Sequence, residues 1–84
     1  MNLIIDISKE PCLILKQGQK KLDQHQWSGL YQLSETLIKE IDIFLKKNKI
    51  KLDQLDDIKV VESNNSLVST RIAKAVALGL KTKI

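Results

Sequence analysis

Asn2-Leu3-Ile4-Ile5-Asp6-Ile7-Ser8-Lys9-Glu10-Pro11-Cys12-Leu13-Ile14-Leu15-Lys16-Gln17-Gly18-Gln19 holds two apolar runs parted by a polar turn and followed by a glycine. Leu3, Ile4 and Ile5 are a dense apolar run of the kind a strand covered on both faces carries, and the reading gives a strand over Asn2–Ile7. Lys9-Glu10 turns the chain, and Cys12–Lys16 is a second strand. Gln17-Gly18-Gln19 has hairpin character, because Gly18 reaches positive φ without steric cost. Lys20–Gln26 then reads as a polar third strand, suited to a sheet edge where its lysines discourage pairing with other chains.

Beyond the Trp27-Ser28-Gly29 loop the period changes. Leu30, Leu33, Leu37, Ile38, Ile41, Phe44 and Leu45 recur at spacings of three and four, which predicts an amphipathic helix. Ser28 or Ser34 is its candidate N-cap, and Asn48 its candidate left-handed cap after Lys46-Lys47. Leu52 and Leu55 lead to a short strand at Ile58-Lys59-Val60-Val61. Ser63-Asn64-Asn65-Ser66 is a polar turn, with Ser66 the N-cap of a second helix running to about Leu80. Val68, Ile72, Ala75, Val76 and Gly79 stripe that helix, and the small residues Ala75 and Gly79 let another helix come close. The expectation is an apolar seam, Leu37 and Ile41 on one helix and Ile72, Ala75 and Gly79 on the other, left open for a second polypeptide.

Eighty-four residues without repeat or linker allow one domain, 1–84, and such a chain buries only roughly 60–65% of its unfolded surface. A self-sufficient catalytic pocket is hard to build from so little chain, so the expectation is an interaction module and not an enzyme. Cys12 stands alone and implies no disulfide or zinc site, and no metal or cofactor is expected. Asp6 interrupts the opening apolar run after three residues, and no run approaches the ~20 residues of a membrane span; a cytoplasmic protein is expected. Charge is uneven: five lysines face six acids in residues 1–45, whereas nine Lys/Arg face four acids in 46–84. Lys46, Lys47, Lys49 and Lys51 form a cluster able to attract phosphates, with a solvated helix C-terminus as the plainer reading.

Two stretches carry a family resemblance. Leu3-Ile4-Ile5-Asp6-Ile7-Ser8 resembles the strand and Asp-Thr-Ser/Ala turn that open TsaB (YeaZ) proteins. Ser66-Leu67-Val68-Ser69-Thr70-Arg71-Ile72-Ala73, with Ala77-Leu78-Gly79-Leu80 after it, resembles that family's Gly-Pro-Gly-Ser-Phe-Thr-Gly-Leu-Arg-Ile-Gly segment and following Gly-Leu. Leu33-Ser34-Glu35 is similar to its His-Ser-Glu. Ser63-Asn64-Asn65 stands where the family has Gly-Pro-Gly, Leu33 where it has histidine, and Val68-Ser69 where it has Thr-Gly. The resemblance spans nearly the whole chain but only the front part of the family's N-terminal lobe. With the order βββαβα it implies an α/β fold, half of a ribonuclease H-like or actin-like ATPase lobe. It also implies a non-catalytic subunit in tRNA N6-threonylcarbamoyladenosine synthesis, docking its two helices on the catalytic paralogue TsaD, with TsaE joining, or pairing with itself when TsaD is absent.

The residues the resemblance assigns to that contact are Ser34, Leu37, Ile38 and Ile41 on the first helix, and Leu67, Arg71, Ile72, Ala75 and Gly79 on the second. Arg71 is expected to meet Glu62 or an acid on the partner. Asn64, Asn65 and Ser66 form a weak candidate phosphate site at a helix N-terminus, against ordinary capping. Asp6 is expected to cap its turn, Trp27 to cover one end of the sheet, and His25 and Cys12 to lack the third group a catalytic pair needs. The alternative function is a basic RNA-binding module built on Lys46, Lys47, Lys49 and Lys51, with tRNA as a possible ligand.

Overall fold

The computed structural model describes residues 1–82. Its elements follow the order β1 (Asn2–Asp6), β2 (Cys12–Gln17), β3 (Lys20–Gln26), a 3-10 turn (Leu30–Gln32), α1 (Leu33–Lys47), a second 3-10 turn (Leu52–Gln54), β4 (Asp57–Val61) and α2 (Leu67–Lys81). The strands form one sheet in the order β3-β2-β1-β4. β1 pairs antiparallel with β2 and parallel with β4, so β3 and β4 are the edges. This is the βββαβα order read from the sequence, in the half-lobe arrangement that the resemblance implies.

Gly18, at φ 62°, is the first central residue of the two-residue β2–β3 loop, the position where a type II′ turn places glycine. Between Leu15 and Lys16 the register shifts: Leu15 faces Asp23 while Lys16 faces Lys21, which leaves Leu22 as the extra residue of a bulge.

Burial along β1 alternates. Leu3, Ile5 and Ile7 are fully buried, whereas Asn2, Ile4 and Asp6 are half-buried. Both helices lie on the Leu3/Ile5 side, where Leu13, Leu15 and Ile58 join Leu33, Leu37, Ile41, Phe44, Ala73 and Ala77 in one core. The expectation that β1 is covered on both faces is therefore corrected: no helix covers the Ile4/Ile14 side among the described residues.

The ends of α1 also differ from expectation. Neither Ser28 nor Ser34 caps it. Gly29, at φ 114°, turns the chain into the 3-10 turn, whose last residue, Gln32, precedes α1 without a side-chain cap. At the other end Lys49, not Asn48, takes the left-handed conformation, at φ 57°. The N–H of Ile50 donates to the Leu45 carbonyl at 2.9 Å and that of Lys49 to the Lys46 carbonyl at 3.1 Å. This pair of bonds is the Schellman arrangement, with Ile50 and Leu45 supplying its apolar contact. Asn48 contributes its side chain instead, donating to the Phe44 carbonyl at 2.9 Å and to Asp23 Oδ2 at 3.0 Å.

Candidate functional site

The N-terminus of α2 is fastened to the 3-10 turn that precedes α1 by serines. Ser66 Oγ accepts the Ser69 N–H at 3.1 Å and donates to Ser69 Oγ at 2.9 Å; Ser69 Oγ in turn donates to the Leu30 carbonyl at 2.9 Å. Ser66 is thus the N-cap that the sequence indicates. Ser63 Oγ accepts from the N–H groups of Asn65 and Ser66, and Ser63 N–H donates to Thr70 Oγ1. The donors of Asn65 and Ser66 are spent on the chain's own hydroxyls, so the phosphate-binding arrangement expected at Asn64, Asn65 and Ser66 gives way to capping.

So held, the helices present a ridged outer face. Leu37 and Ile41 are 1% and 3% exposed, sealed within the chain's own core, which corrects their assignment to a partner surface. They occupy the centre of α1's apolar stripe, and the residue one step round the helix, Ile38, stands 60% exposed. Ser34 is exposed on the same flank of α1. On α2, Ile72 and Val76 are half-buried against the core, while Ala75 and Gly79 are exposed beside them. A Cβ built on Gly79 would meet nothing within 4 Å, so the room there is not used by this molecule. The seam is therefore closed along α1's centre and open along α2.

Leu67, 66% exposed, has the helical spacing of Lys74 and Leu78, which puts it on the flank nearer β4 and away from Ile38. Arg71 stands at the outer crest. Its expected partner Glu62 is taken by Lys74, and Arg71 makes no ion pair among the described residues. Val68, 67% exposed, belongs to the face but is absent from the residues singled out by resemblance, although its place in the α2 stripe marked it. At one end of the helix pair lies a cleft of about 370 Å³, walled by Ile38, Ile41, Leu45, Ile50, Leu52 and Leu80.

The lysine cluster is half neutralised. Lys46 pairs with Asp42 at 3.0 Å and Lys47 with Asp23 at 3.4 Å, Lys49 makes the left-handed turn, and Lys51 precedes the second 3-10 turn. Asp23 accepts from the Gln24 N–H and from Asn48, and these bonds hold its carboxyl below the usual range.

His25 and Cys12 cannot act together. Leu13, not Cys12, pairs with His25 across the strands, so the two side chains leave opposite faces of the sheet. His25 contacts Glu40 Oε2 at 2.7 Å and stacks on Trp27 and Phe44, ring centres 5.6 and 6.2 Å away. Trp27 donates to Thr36 Oγ1 at 3.3 Å and packs against the core, bridging sheet and α1. Burial, reinforced by the nearby Asp6 charge, pushes the Cys12 thiol up. Asp6 accepts from both the N–H and the hydroxyl of Ser8, closing the turn after β1. Among the described residues no three His, Cys, Asp or Glu side chains gather as metal ligands, and no helix is long and apolar enough to cross a membrane.

The architecture is a mixed α/β fold, a partial lobe of the ribonuclease H-like kind with a helix pair on one side of a four-stranded sheet. The solved structure of YeaZ from Pseudomonas aeruginosa has the same arrangement, with a TM-score of 0.83, 22% identity, and a match over 98% of this chain and 38% of that one. At that identity the likeness establishes the fold, and this chain spans well under half of the YeaZ chain. No protein-family model matches the sequence, and no curated protein matches it.

Proposed function

We propose that this chain is a non-catalytic interaction subunit of the TsaB kind, docking its helix pair on a TsaD-type protein to support N6-threonylcarbamoyladenosine modification of tRNA. The observation that carries the proposal is the outer face of α1 and α2. Ile38 and Val68 stand more than half exposed there, beside the half-buried Ile72 and Val76 and the small Ala75 and Gly79. Apolar side chains gathered on one helical face mark contact surfaces, and small residues between them admit a partner helix. The shared fold with YeaZ supports the choice of partner, as do the residue resemblances at Ser34-Glu35 and Ser66–Ala73. TsaE belongs to the same proposal as a further member of the assembly, and a cytoplasmic setting follows from it. When the TsaD-type partner is absent, the same face makes a two-fold homodimer.

Co-expression with a TsaD-type protein, followed by size-exclusion chromatography with light scattering, tests this. A one-to-one complex at micromolar concentration is expected, and Ile38→Glu or Val68→Glu abolishes it while leaving the free chain folded. No complex at that concentration overturns the proposal.

A further inference from the structure

Charge on the outer face of α1 and α2 is unbalanced. α2 carries Arg71, Lys74 and Lys81 and no acid along its length. Lys74 and Lys81 stand on the β4 side, where Glu62 and Asp57 meet them. Arg71 stands on the outer crest, a turn from Val68 and from Ala75, and forms no ion pair among the described residues. At the other end of the face, both helices and the Ile50–Leu52 connection surround the cleft of about 370 Å³. Ile41 and Leu45 are its buried floor, whereas Ile38, Ile50, Leu52 and Leu80 wall it and keep part of their surface in solvent. At its mouth Asp42 and Lys46 pair with each other at 3.0 Å, and Lys51 beside them forms no ion pair among the described residues. Arg71 and Leu80 lie nine residues apart on α2, about 14 Å along its axis.

We propose, resting on the TsaD-type docking above, that the partner meets this face with an acidic amphipathic helix. That helix seats one large apolar side chain in the cleft and sets carboxylates against Arg71 and Lys51. A dry pocket of about 150 Å³ takes a benzene ring, so the cleft admits a leucine or phenylalanine side chain of the partner. Anchors of this kind carry most of the energy of an interface. Gly79, next to the cleft-lining Leu80, has nothing within 4 Å of where a Cβ would stand, so the partner's backbone can come close there. A guanidinium on an apolar face is matched by a carboxylate, which it binds through two parallel hydrogen bonds. Acids at both ends of the partner's apolar stripe, roughly two to three turns apart, meet the two cations together. A second copy of the chain answers them less well, because its α2 brings no acid.

The test adds a TsaD-type protein to the methyl-labelled chain and measures affinity at low and high salt. Shifted methyl resonances at Ile50, Leu52 and Leu80 are expected alongside Ile38, with an affinity that falls as salt rises. Arg71→Glu and Lys51→Glu each weaken the complex about fivefold. Lys20→Glu, the same charge change at the start of β3, leaves it unaltered. All three side chains are exposed, and unchanged spectra of the free variants confirm that each is folded. A complex that shifts Ile38 but not Ile50 and Leu52, or that ignores both reversals, leaves the docking face standing and overturns the acidic helix. Failure of any complex to form overturns both. If the reversals weaken only a homodimer, the cations serve a second copy and the acidic helix is again overturned.

Discussion

Among single residues, Asp23 and Asp57 tie elements together through charge. Asp23 holds β3 to the end of α1 through Asn48 and Lys47, and Asp57 accepts from the Ile58 N–H at 2.8 Å and faces Lys81 at 3.3 Å. Both carboxyls sit below their ordinary range, chiefly because backbone N–H groups bond their charged form. A carboxyl depressed in the folded state stabilises the fold above its unfolded pKa, and that stability is lost as pH falls through the lower folded value. Below about pH 4 the protein therefore loses stability, and Asp23→Asn is expected to narrow the gap between urea midpoints measured at pH 7 and pH 3. An unchanged gap would show that the bonds to Asp23 carry no weight. Ser66 acts by a hydrogen bond with neutral partners: Ser66→Ala removes the acceptor of the Ser69 N–H and costs roughly 1 kcal/mol, read as a lower thermal midpoint with no pH dependence.

For whole elements, the period of the apolar residues carried most of the fold. Short apolar runs between turn residues and the three-and-four spacing of α1 and α2 depend on local chain geometry, so the elements were legible without the structure. What was not legible depends on contacts between distant residues. Nothing in Leu3-Ile4-Ile5 says that both helices lie on one side of the sheet, because a half-buried isoleucine and a buried one are the same letter. Helix ends were misread for a related reason: serine and asparagine propensities favoured Ser28, Ser34 and Asn48, but Gly29 and the Leu30–Gln32 turn enter α1, and Asn48 is drawn away by Asp23. The left-handed position falls to Lys49, whose Cβ makes that conformation costly. Lys49→Gly is accordingly expected to stabilise the protein by about 1 kcal/mol, measured by urea unfolding. A loss of stability instead would mean that the lysine side chain contributes more than its backbone strain costs.

At the scale of the molecule, the candidate contact surface was half legible, and the physical reason lies in the width of a helical stripe. Leu37 and Ile38 both satisfy the apolar pattern of α1, but 100° of rotation separates them, so one closes the core and the other borders it. Periodicity gives the direction of such a stripe and leaves its margins undefined; on α2 it likewise grouped Val68 with the half-buried Ile72. The distinction separates stability from docking. Leu37→Ala is expected to cost about 3 kcal/mol by leaving a cavity among buried neighbours, lowering the thermal midpoint of the free chain. Ile38→Glu should leave that midpoint nearly unchanged, since the side chain already faces water. A TsaD-type partner at a hundred times its dissociation constant adds about 2.7 kcal/mol to the folded state, which for a domain of this size raises the midpoint by about 10–20 °C. Ile38→Glu should erase that rise, whereas Leu37→Ala should keep it, starting from a lower midpoint. If Ile38→Glu retains the partner-induced rise, the ligand sits elsewhere, and the outer face of α1 and α2 is not the docking surface.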